Sequence, residues 1–474
     1  MNKDFNILAV DLDETLVKSD MLLETFWSAF SQDLLIPFKS LLALTKGKAN
    51  LKSFLYNNSS VNIESLPYNQ IVIDYIKSHR QNGGEVALVT GSDQRLAYEI
   101  SDYLGFFNKV YGTSDIKNLV GSNKGKFQKG IFGFKNFDYL GNSFEDIPCW
   151  EYANRAITLN AKKNLKRSCE KVNNNYLHLQ NLDNQNLFFN FFRAIRTYQW
   201  IKNILVFIPL IAARTFDPNL IFESVLAFFA FSCVASSVYI FNDLLDLDAD
   251  RNHPKKCNRP FASGSLSLLD GSIGGFVMLV LGFTLAYSIG LSFLFLITTY
   301  YASTICYSLF LKQKPLFDIF LLSGLYTIRI LGGGVATNLE ISFWLLAFSI
   351  FFFLSLASVK RETELVELKK RDVISIPGRG YIVSDLNFLN IISISSSLIS
   401  SLILALYINS PKVLDLYTNP HLLWISCCLF LFWNLRLHFK TYKGQMEDDP
   451  IVFIIKDNFS KIIFMGIIIL VFFA

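Results

Sequence analysis

The 474 residues, 51% of them hydrophobic and carrying a net charge of only +5, are enough for two domains and too weakly basic to call for a nucleic-acid partner. Hydrophobicity is uneven: residues 1 to about 200 read as soluble chain, and from Ile201 long apolar stretches alternate with short polar loops, which excludes a chain soluble throughout. The seven cysteines show no CxxC pair, Cys427–Cys428 lies in an apolar stretch, and all are read as free thiols.

The chain opens with Asn2, Lys3 and Asp4 and no leader-like apolar run, so no signal peptide is expected and the first domain should stay in the cytosol. Residues 5–10, Phe-Asn-Ile-Leu-Ala-Val, predict a buried strand ending in Asp11-Leu12-Asp13-Glu14-Thr15. Two carboxylates two residues apart at the carboxyl end of a strand face one crevice. There one can attack phosphorus while the other handles a proton, with Mg²⁺ shielding the charge. A helical stretch over about 20–75 follows. A second strand, Glu85 to Val89, ends in Thr90-Gly91-Ser92, a hydroxyl and backbone N–H set suited to phosphate. Lys124 follows a polar turn, and a third strand, Phe137 to Leu140, ends in Gly141-Asn142-Ser143-Phe144-Glu145-Asp146.

These four pieces, in this order, resemble the haloacid dehalogenase (HAD) phosphatase superfamily over about residues 4–160. The resemblance implies an α/β Rossmann-like domain (1–160) with a small helical cap. It implies Asp11 as the nucleophile that forms an aspartyl-phosphate and Asp13 as general acid/base. Thr90 and Lys124 would hold the phosphoryl group, with Asp11, Asp13, Asn142 and Asp146 around Mg²⁺. Such families usually carry aspartate where this chain has Asn142; an amide adds no negative charge, so weaker metal binding is expected. Residues 161–187, polar and rich in Asn and Lys, read as a linker, helical in part.

The remainder, 188–474, predicts an all-α polytopic domain of about nine spans, near 201–213, 219–241, 272–290, 292–310, 316–337, 342–358, 387–408, 421–437 and 459–474. With a cytosolic N-terminus, the cytosolic loops hold Arg251, Lys255, Lys256, Arg259, Lys312, Lys314, Lys360, Arg361, Lys369, Lys370, Arg371, Arg379, Lys440, Lys443 and Lys456. The opposite loops hold little beyond Arg214 and Lys412. An inner or plasma membrane protein with its active sites cytosolic is expected.

The second span runs into Asn242-Asp243-Leu244-Leu245-Asp246-Leu247-Asp248-Ala249-Asp250-Arg251. Asp243, Asp246 and Asp250 fall on one face of a helix, with Asn242 a turn before Asp246. Carboxylates stacked so closely repel unless a cation bridges them, and Mg²⁺ carrying a diphosphate suits the place. His253-Pro254-Lys255-Lys256-Cys257-Asn258-Arg259-Pro260 follows at once: acid for metal, base for phosphate.

NDxxDxxxD followed by NRP resembles the UbiA superfamily of intramembrane prenyltransferases over about residues 190–474. Ordinary members carry a second Asp-rich motif after the sixth span, where this chain has a loop reading Lys360-Arg361-Glu362-Thr363-Glu364-Leu365. That KRxxEL loop, Tyr307, Lys312, Asp318, Arg329 and DRxHPxKxxRP are similar to decaprenyl-phosphate phosphoribosyltransferases. The resemblance implies transfer of 5-phosphoribose from 5-phosphoribosyl diphosphate to a polyprenyl phosphate; the adjacency of the two domains adds the expectation that the HAD domain then removes the 5-phosphate. Lys255, Lys256, Arg259, Lys312, Arg329, Lys360, Arg361 and Glu364 would then serve the three phosphate groups. Arg329 lies inside the fifth span, where an unpaired cation costs at least about 2.5 kcal/mol, so it is expected either to bind phosphate or to pair with a neighbouring helix. Gly378-Arg379-Gly380-Tyr381, Asp385 and Asp448-Asp449-Pro450 are further candidates. The rival functions are prenyl transfer to an aromatic acceptor and a non-catalytic membrane module with a degenerate HAD sensor.

Overall fold

The computed structural model describes residues 7–114, 118–180, 186–372, 379–411, 413, 417–446 and 450–474. Two compact units divide the chain: Met1–Arg196 with Tyr239–Phe276, and Thr197–Val238 with Val277–Ala474.

The first unit is built on a six-stranded sheet: β1 Ile7–Val10, β2 Glu85–Asp93, β3 Lys109–Thr113, β4 Phe137–Gly141, β5 Ala156–Leu159 and β6 Tyr176–Leu179. The order is β3-β2-β1-β4-β5-β6, and every pairing is parallel. A parallel sheet is covered on both faces, so its strands read as continuous apolar runs. Leu8 and Val10 pack on one side with Val86, Leu88, Leu140 and Ile157, while Ala9 packs on the other with Ala87, Val89, Tyr139 and Trp150. The winding direction reverses between β1 and β4, which opens a crevice at their carboxyl ends. This is the α/β, HAD-like fold expected from the motifs.

Two expectations for this region change. Residues 161–187, read as a linker, hold helix Lys163–Val172, which buries Leu165 and Cys169, and β6, which pairs with β5 from Ala156↔Tyr176 to Leu159↔Leu179. A half-exposed edge strand behind a helix with two buried positions needs few apolar residues, so its composition resembles a linker's. The cap is also narrower than 20–75. Helices Met21–Gln32, Ile36–Thr45 and Lys48–Asn58 form it, whereas Gln70–Gln81 buries Val72, Ile73 and Ile76 in the sheet's core.

Among the described residues seven helices are long and apolar enough to cross a membrane: Pro218–Leu245, Leu268–Ile289, Leu291–Leu309, Phe317–Thr337, Phe343–Lys370, Val383–Ile408 and His421–Tyr442. The expected last span is the 16-residue apolar helix Asn458–Phe473. The expected first span, 201–213, is not one helix. It runs as 3₁₀ turns over Thr197–Phe207 and then as the short helix Ile208–Ala212, which has Pro209 in its first turn. Long 3₁₀ runs are uncommon because their hydrogen bonds are poorly aligned. This one is held by burial of Lys202, Asn203 and Val206, and at Val206 its backbone presses on Gly333 so closely that no side chain would fit there.

Candidate functional site

The first unit holds two clusters of charged side chains. One is the crevice of the sheet. Asp11, at the end of β1, is 7% exposed, and its Oδ1 accepts hydrogen bonds from the Leu12 N–H at 2.9 Å and from Lys124 Nζ at 2.7 Å. Lys124 Nζ also lies 3.5 Å from Asp146 Oδ1. Asp146 is fixed by Tyr139 Oη at 2.6 Å and by the backbone N–H groups of Asn142 and Ser143, both at 3.0 Å. Asp13 accepts from Thr90 Oγ1 at 3.2 Å, from Ser92 Oγ at 2.8 Å and from the Met21 N–H at 2.8 Å. Asp11, Asp13, Thr90, Lys124 and Asp146 thus line one crevice. The Asn142 side chain turns instead toward Glu14, with Nδ2 at 3.5 Å from Oε2. The sequence reading missed Ser92 and Tyr139, although Ser92 stands in the Thr-Gly-Ser set it singled out.

Burial, with Asp146 and Asp13 close by, pushes the Asp11 carboxyl up to about 7 against the pull of Lys124, whose own value the carboxylates raise. Burial likewise takes Asp20, at the start of the cap, up to about 6. Lys52 of the cap donates to the Gly91 carbonyl at 2.6 Å, and burial lowers its pKa. A basic side chain from the cap therefore overhangs the phosphate-suited loop.

The other cluster surrounds the Asp-rich segment. The helix expected to carry all three aspartates ends at Leu245. Asp246 leaves helical geometry at φ −99°, ψ 19°, and a second helix, Leu247–Arg251, follows. Asp243 and Asp250 nevertheless converge. Both are at most 3% exposed, and Arg259 Nη1 bridges them at 2.9 Å from Asp243 Oδ1 and 2.6 Å from Asp250 Oδ2. Arg196 Nη2 reaches Asp243 Oδ1 at 2.5 Å, and Lys256 Nζ lies 4.0 Å from Asp250 Oδ1. Burial raises the Asp250 pKa, and Arg259 opposes that rise. Asn242 and Asp246 are half-buried, and Lys255 is exposed. Arg196 was not singled out in the sequence; its position just before the first apolar stretch was the available signal.

Among the described residues no three His, Cys, Asp or Glu side chains form a metal cage. In each cluster, however, two carboxylates meet at one cationic nitrogen. Mg²⁺ is commonly held by one or two carboxylates plus substrate phosphates, so both donor sets suit it.

The second unit gathers Tyr307, Asp318, Glu364 and Arg379 around Arg361, whose side chain is fully buried. Lys360 to Leu365 is not a loop but the last turns of the 28-residue helix Phe343–Lys370. Lys, Arg, Glu and Leu all favour helix and no breaker intervenes. Arg361 Nε donates to Asp318 Oδ2, Nη2 lies 3.1 Å from both Asp318 Oδ1 and Tyr307 Oη, and Nη1 lies 2.7 Å from both Glu364 oxygens. Tyr307 Oη donates to Asp318 Oδ1 at 2.8 Å. Arg379 Nη1 adds bonds at 3.1 Å to Asp318 and to Tyr307. Tyr381 Oη accepts the Leu316 N–H at 3.0 Å. Glu362 points elsewhere, accepting from Asn390 Nδ2 at 2.8 Å.

Arg329 is 6% exposed and bound to neutral groups: Asn203 Oδ1 at 2.8 Å, Tyr300 Oη at 2.9 Å and the Leu325 carbonyl. Its guanidinium carbon also lies 5.0 Å from the Tyr300 ring centre and 5.6 Å from that of Tyr326. Lys312 and Lys360 are half-buried. Asp385 caps its own turn by accepting the Ile382 N–H at 3.0 Å. Gly378, Asp448 and Asp449 lie outside the described residues.

The family pattern of UbiA prenyltransferases matches residues 204–454. The Sinorhizobium fredii protein y4nM, described only as uncharacterized, is 33% identical over 455 residues, 96% of this chain and 88% of its own length. The nodulation protein NoeC of Azorhizobium caulinodans is 33% identical over 283 residues, 59% of this chain and 91% of its own. The decaprenyl-phosphate phosphoribosyltransferase of Corynebacterium glutamicum is 34% identical over 187 residues, 38% of this chain and 56% of that enzyme. With more than half of its length matched by the family pattern, and a HAD-like domain in front, the chain is a membrane protein that belongs to the UbiA prenyltransferase family.

Proposed function

We propose that the membrane domain transfers 5-phosphoribose from 5-phosphoribosyl diphosphate to the phosphate of a polyprenyl phosphate, and that the HAD domain then hydrolyses the 5-phosphate. The observation that carries this reading is the Arg361 cluster. Where the family's second Asp-rich motif would stand, helix Phe343–Lys370 carries Lys360 and Arg361. Here Asp318 and Glu364 are both taken up by Arg361, and Arg379 adds a second cation at Asp318. Arg379, whose side chain is 23% exposed, is the guanidinium of this group that a phosphate oxygen can reach, while Arg361 and its partners hold it in place. The similarity to the C. glutamicum phosphoribosyltransferase points the same way.

In this reading Asp243 and Asp250 would hold Mg²⁺, which would supply shielding of the diphosphate charge. Arg196, Arg259 and Lys256 receive the diphosphate, with Asn242, Asp246 and Lys255 alongside. Stabilising the leaving diphosphate is the dominant electrostatic contribution. As the C1–oxygen bond breaks toward an oxocarbenium-like state, an oxygen of the polyprenyl phosphate attacks C1. The products are polyprenyl-phosphoryl-5-phosphoribose and diphosphate. Lys312, Arg329, Lys360 and Arg379 serve the remaining phosphates, and Tyr307, Asp318, Arg361 and Glu364 form the buried group that fixes Arg379. In the HAD domain Asp11 attacks the 5-phosphate, Asp13 protonates the leaving 5-oxygen, and Asp13 then deprotonates the water that releases phosphate from Asp11. Thr90 and Lys124 hold the phosphoryl group; Asp11, Asp13 and Asp146 would hold Mg²⁺, joined by Asn142 once its amide turns away from Glu14. The lysine and arginine asymmetry of the loops supports a cytosolic position for both sites.

The test uses purified protein in detergent with Mg²⁺, radiolabelled 5-phosphoribosyl diphosphate and a polyprenyl phosphate, followed by lipid extraction and mass analysis. Labelled lipid should form and should vanish in Asp243→Ala. In Asp11→Asn it should form but keep its 5-phosphate; removal of that phosphate in the variant would sink the coupling of the two domains. No labelled lipid, with turnover of a polyprenyl diphosphate and an aromatic acceptor, would replace this reading by ordinary prenyl transfer.

A further inference from the structure

The cap of the HAD-like domain carries an apolar surface that nothing in its own unit covers. Helix Ile36–Thr45 and the turn before it bury Ile36, Ser40 and Ala43 against the neighbouring cap helices, whereas Leu34 (45%), Leu35, Phe38 (68%), Leu41, Leu42 (69%) and Leu44 are exposed. Monomeric soluble domains rarely display so many neighbouring large apolar side chains, and such a patch marks a binding surface. Lys46 and Lys48 stand exposed beside it, and Lys39 pairs with Asp33 at 2.5 Å.

The occupant follows from what the preceding helix touches. Trp27 of Met21–Gln32 donates from Nε1 to Ser272 Oγ at 3.2 Å, and its ring lies 6.2 Å from that of Phe241. Phe241 belongs to the end of span Pro218–Leu245, and Ser272 to the start of span Leu268–Ile289. The cap therefore rests on two span ends, at the level where the bilayer surface begins. A second apolar element, helix Leu187–Ala194, meets the same segment: Asn190 donates to the Ser265 carbonyl at 3.0 Å, while Phe188, Phe189 and Phe192 stay exposed. Apolar side chains rimmed by lysines beside membrane spans suit the boundary between headgroups and acyl chains, with the ammonium groups toward anionic lipid phosphates.

We propose that the Ile36–Thr45 helix of the cap lies in the headgroup layer of the bilayer. Membrane-borne phosphates are then the substrate class the crevice meets, since the next cap helix, Lys48–Asn58, reaches the Gly91 carbonyl through Lys52; that second step rests on the phosphatase reading above.

The test places benzoylphenylalanine at Leu42, and at Lys126 as an exposed control on the same domain, in full-length protein in nanodiscs of phosphatidylethanolamine and phosphatidylglycerol. Irradiation should give lipid adducts at 42 and none at 126. A cross-link from 42 to a second copy, or no adduct there, overturns the proposal. A companion variant, Leu41→Asp with Leu42→Asp, should lose hydrolysis of a bilayer-embedded polyprenyl-phosphoryl-5-phosphoribose while retaining that of p-nitrophenyl phosphate. Equal loss of both overturns the access role. If the parent protein hydrolyses neither, the phosphatase reading fails, and the lipid adduct alone decides where the helix lies.

Discussion

Arg251 closes the Asp-rich segment, and the sequence alone makes it one more cytosolic cation. In the structure it forms a two-pronged ion pair with Glu24 of the cap, Nη2 to Oε1 at 2.5 Å and Nη1 to Oε2 at 3.1 Å, while its Nε donates to the Ala262 carbonyl at 3.2 Å. The two side chains are 5% and 3% exposed, so neither charge can turn to water. Removing one partner strands the other, which costs about 3–5 kcal/mol for a buried pair. The loss should fall on local opening of residues 243–251, because Arg251 ends the helix next to Asp250. Three kcal/mol corresponds to roughly a hundredfold faster amide exchange. Arg251→Met should therefore raise hydrogen exchange across that segment by about this factor, measured by mass spectrometry on protein in detergent. Adding Glu24→Leu should restore most of the protection, since two apolar side chains of similar size replace the pair. Unchanged exchange in Arg251→Met would refute the argument, as would a double variant no better than the single.

Arg361→Met leaves Asp318 buried with Arg379 as its cation and Tyr307 as its hydroxyl donor; the midpoint of thermal unfolding in detergent should fall by an amount equivalent to about 3 kcal/mol, and Asp318→Asn should recover part of it. Asn142→Asp adds a carboxylate beside Asp146 and frees Glu14 from its amide partner; Mg²⁺ affinity of the HAD crevice, titrated by calorimetry in an Asp243→Asn background, should rise about tenfold. Asp11, held near 7, is neutral below that pH and anionic above it. In the same calorimetric assay Mg²⁺ binding should weaken as pH falls through 7, approaching about tenfold per unit.

The crevice was legible because its chemistry sits at strand ends. Asp11, Thr90 and Asp146 each follow an apolar run whose period and length mark the strand, so sequence order alone brings them to one edge of the sheet. Lys124 needed the family resemblance, because a lysine after a polar turn has no local signature. What could not be read depends on distant partners. Nothing near Glu24 announces Arg251, which is 227 positions away. Asp246 keeps the spacing of one helical face, yet the helix stops at Leu245 and the aspartates converge through Arg259 instead. The 201–213 stretch has the hydropathy of a span, but Pro209 and the buried Lys202 and Asn203 divert it into 3₁₀ turns. KRxxEL reads as a loop by its charge alone, although Lys, Arg, Glu and Leu favour the helix it forms.

Gly264, at φ +69°, shows how closely the sheet-bearing part and the Asp-rich segment are joined: a Cβ there would come within 2.7 Å of Lys18 Cβ and 3.3 Å of Pro67 Cβ. With the Glu24–Arg251 pair and the bond from Ser65 Oγ to Asp248 Oδ1 at 2.9 Å, this contact makes the chain a poor candidate for dissection. A cut near residue 187 would free two pieces that sequence patterning calls modules, yet each would carry half of a buried ion pair and a glycine-sized imprint of the other. An isolated membrane piece would need Arg251 replaced before its Asp-rich segment could hold its shape.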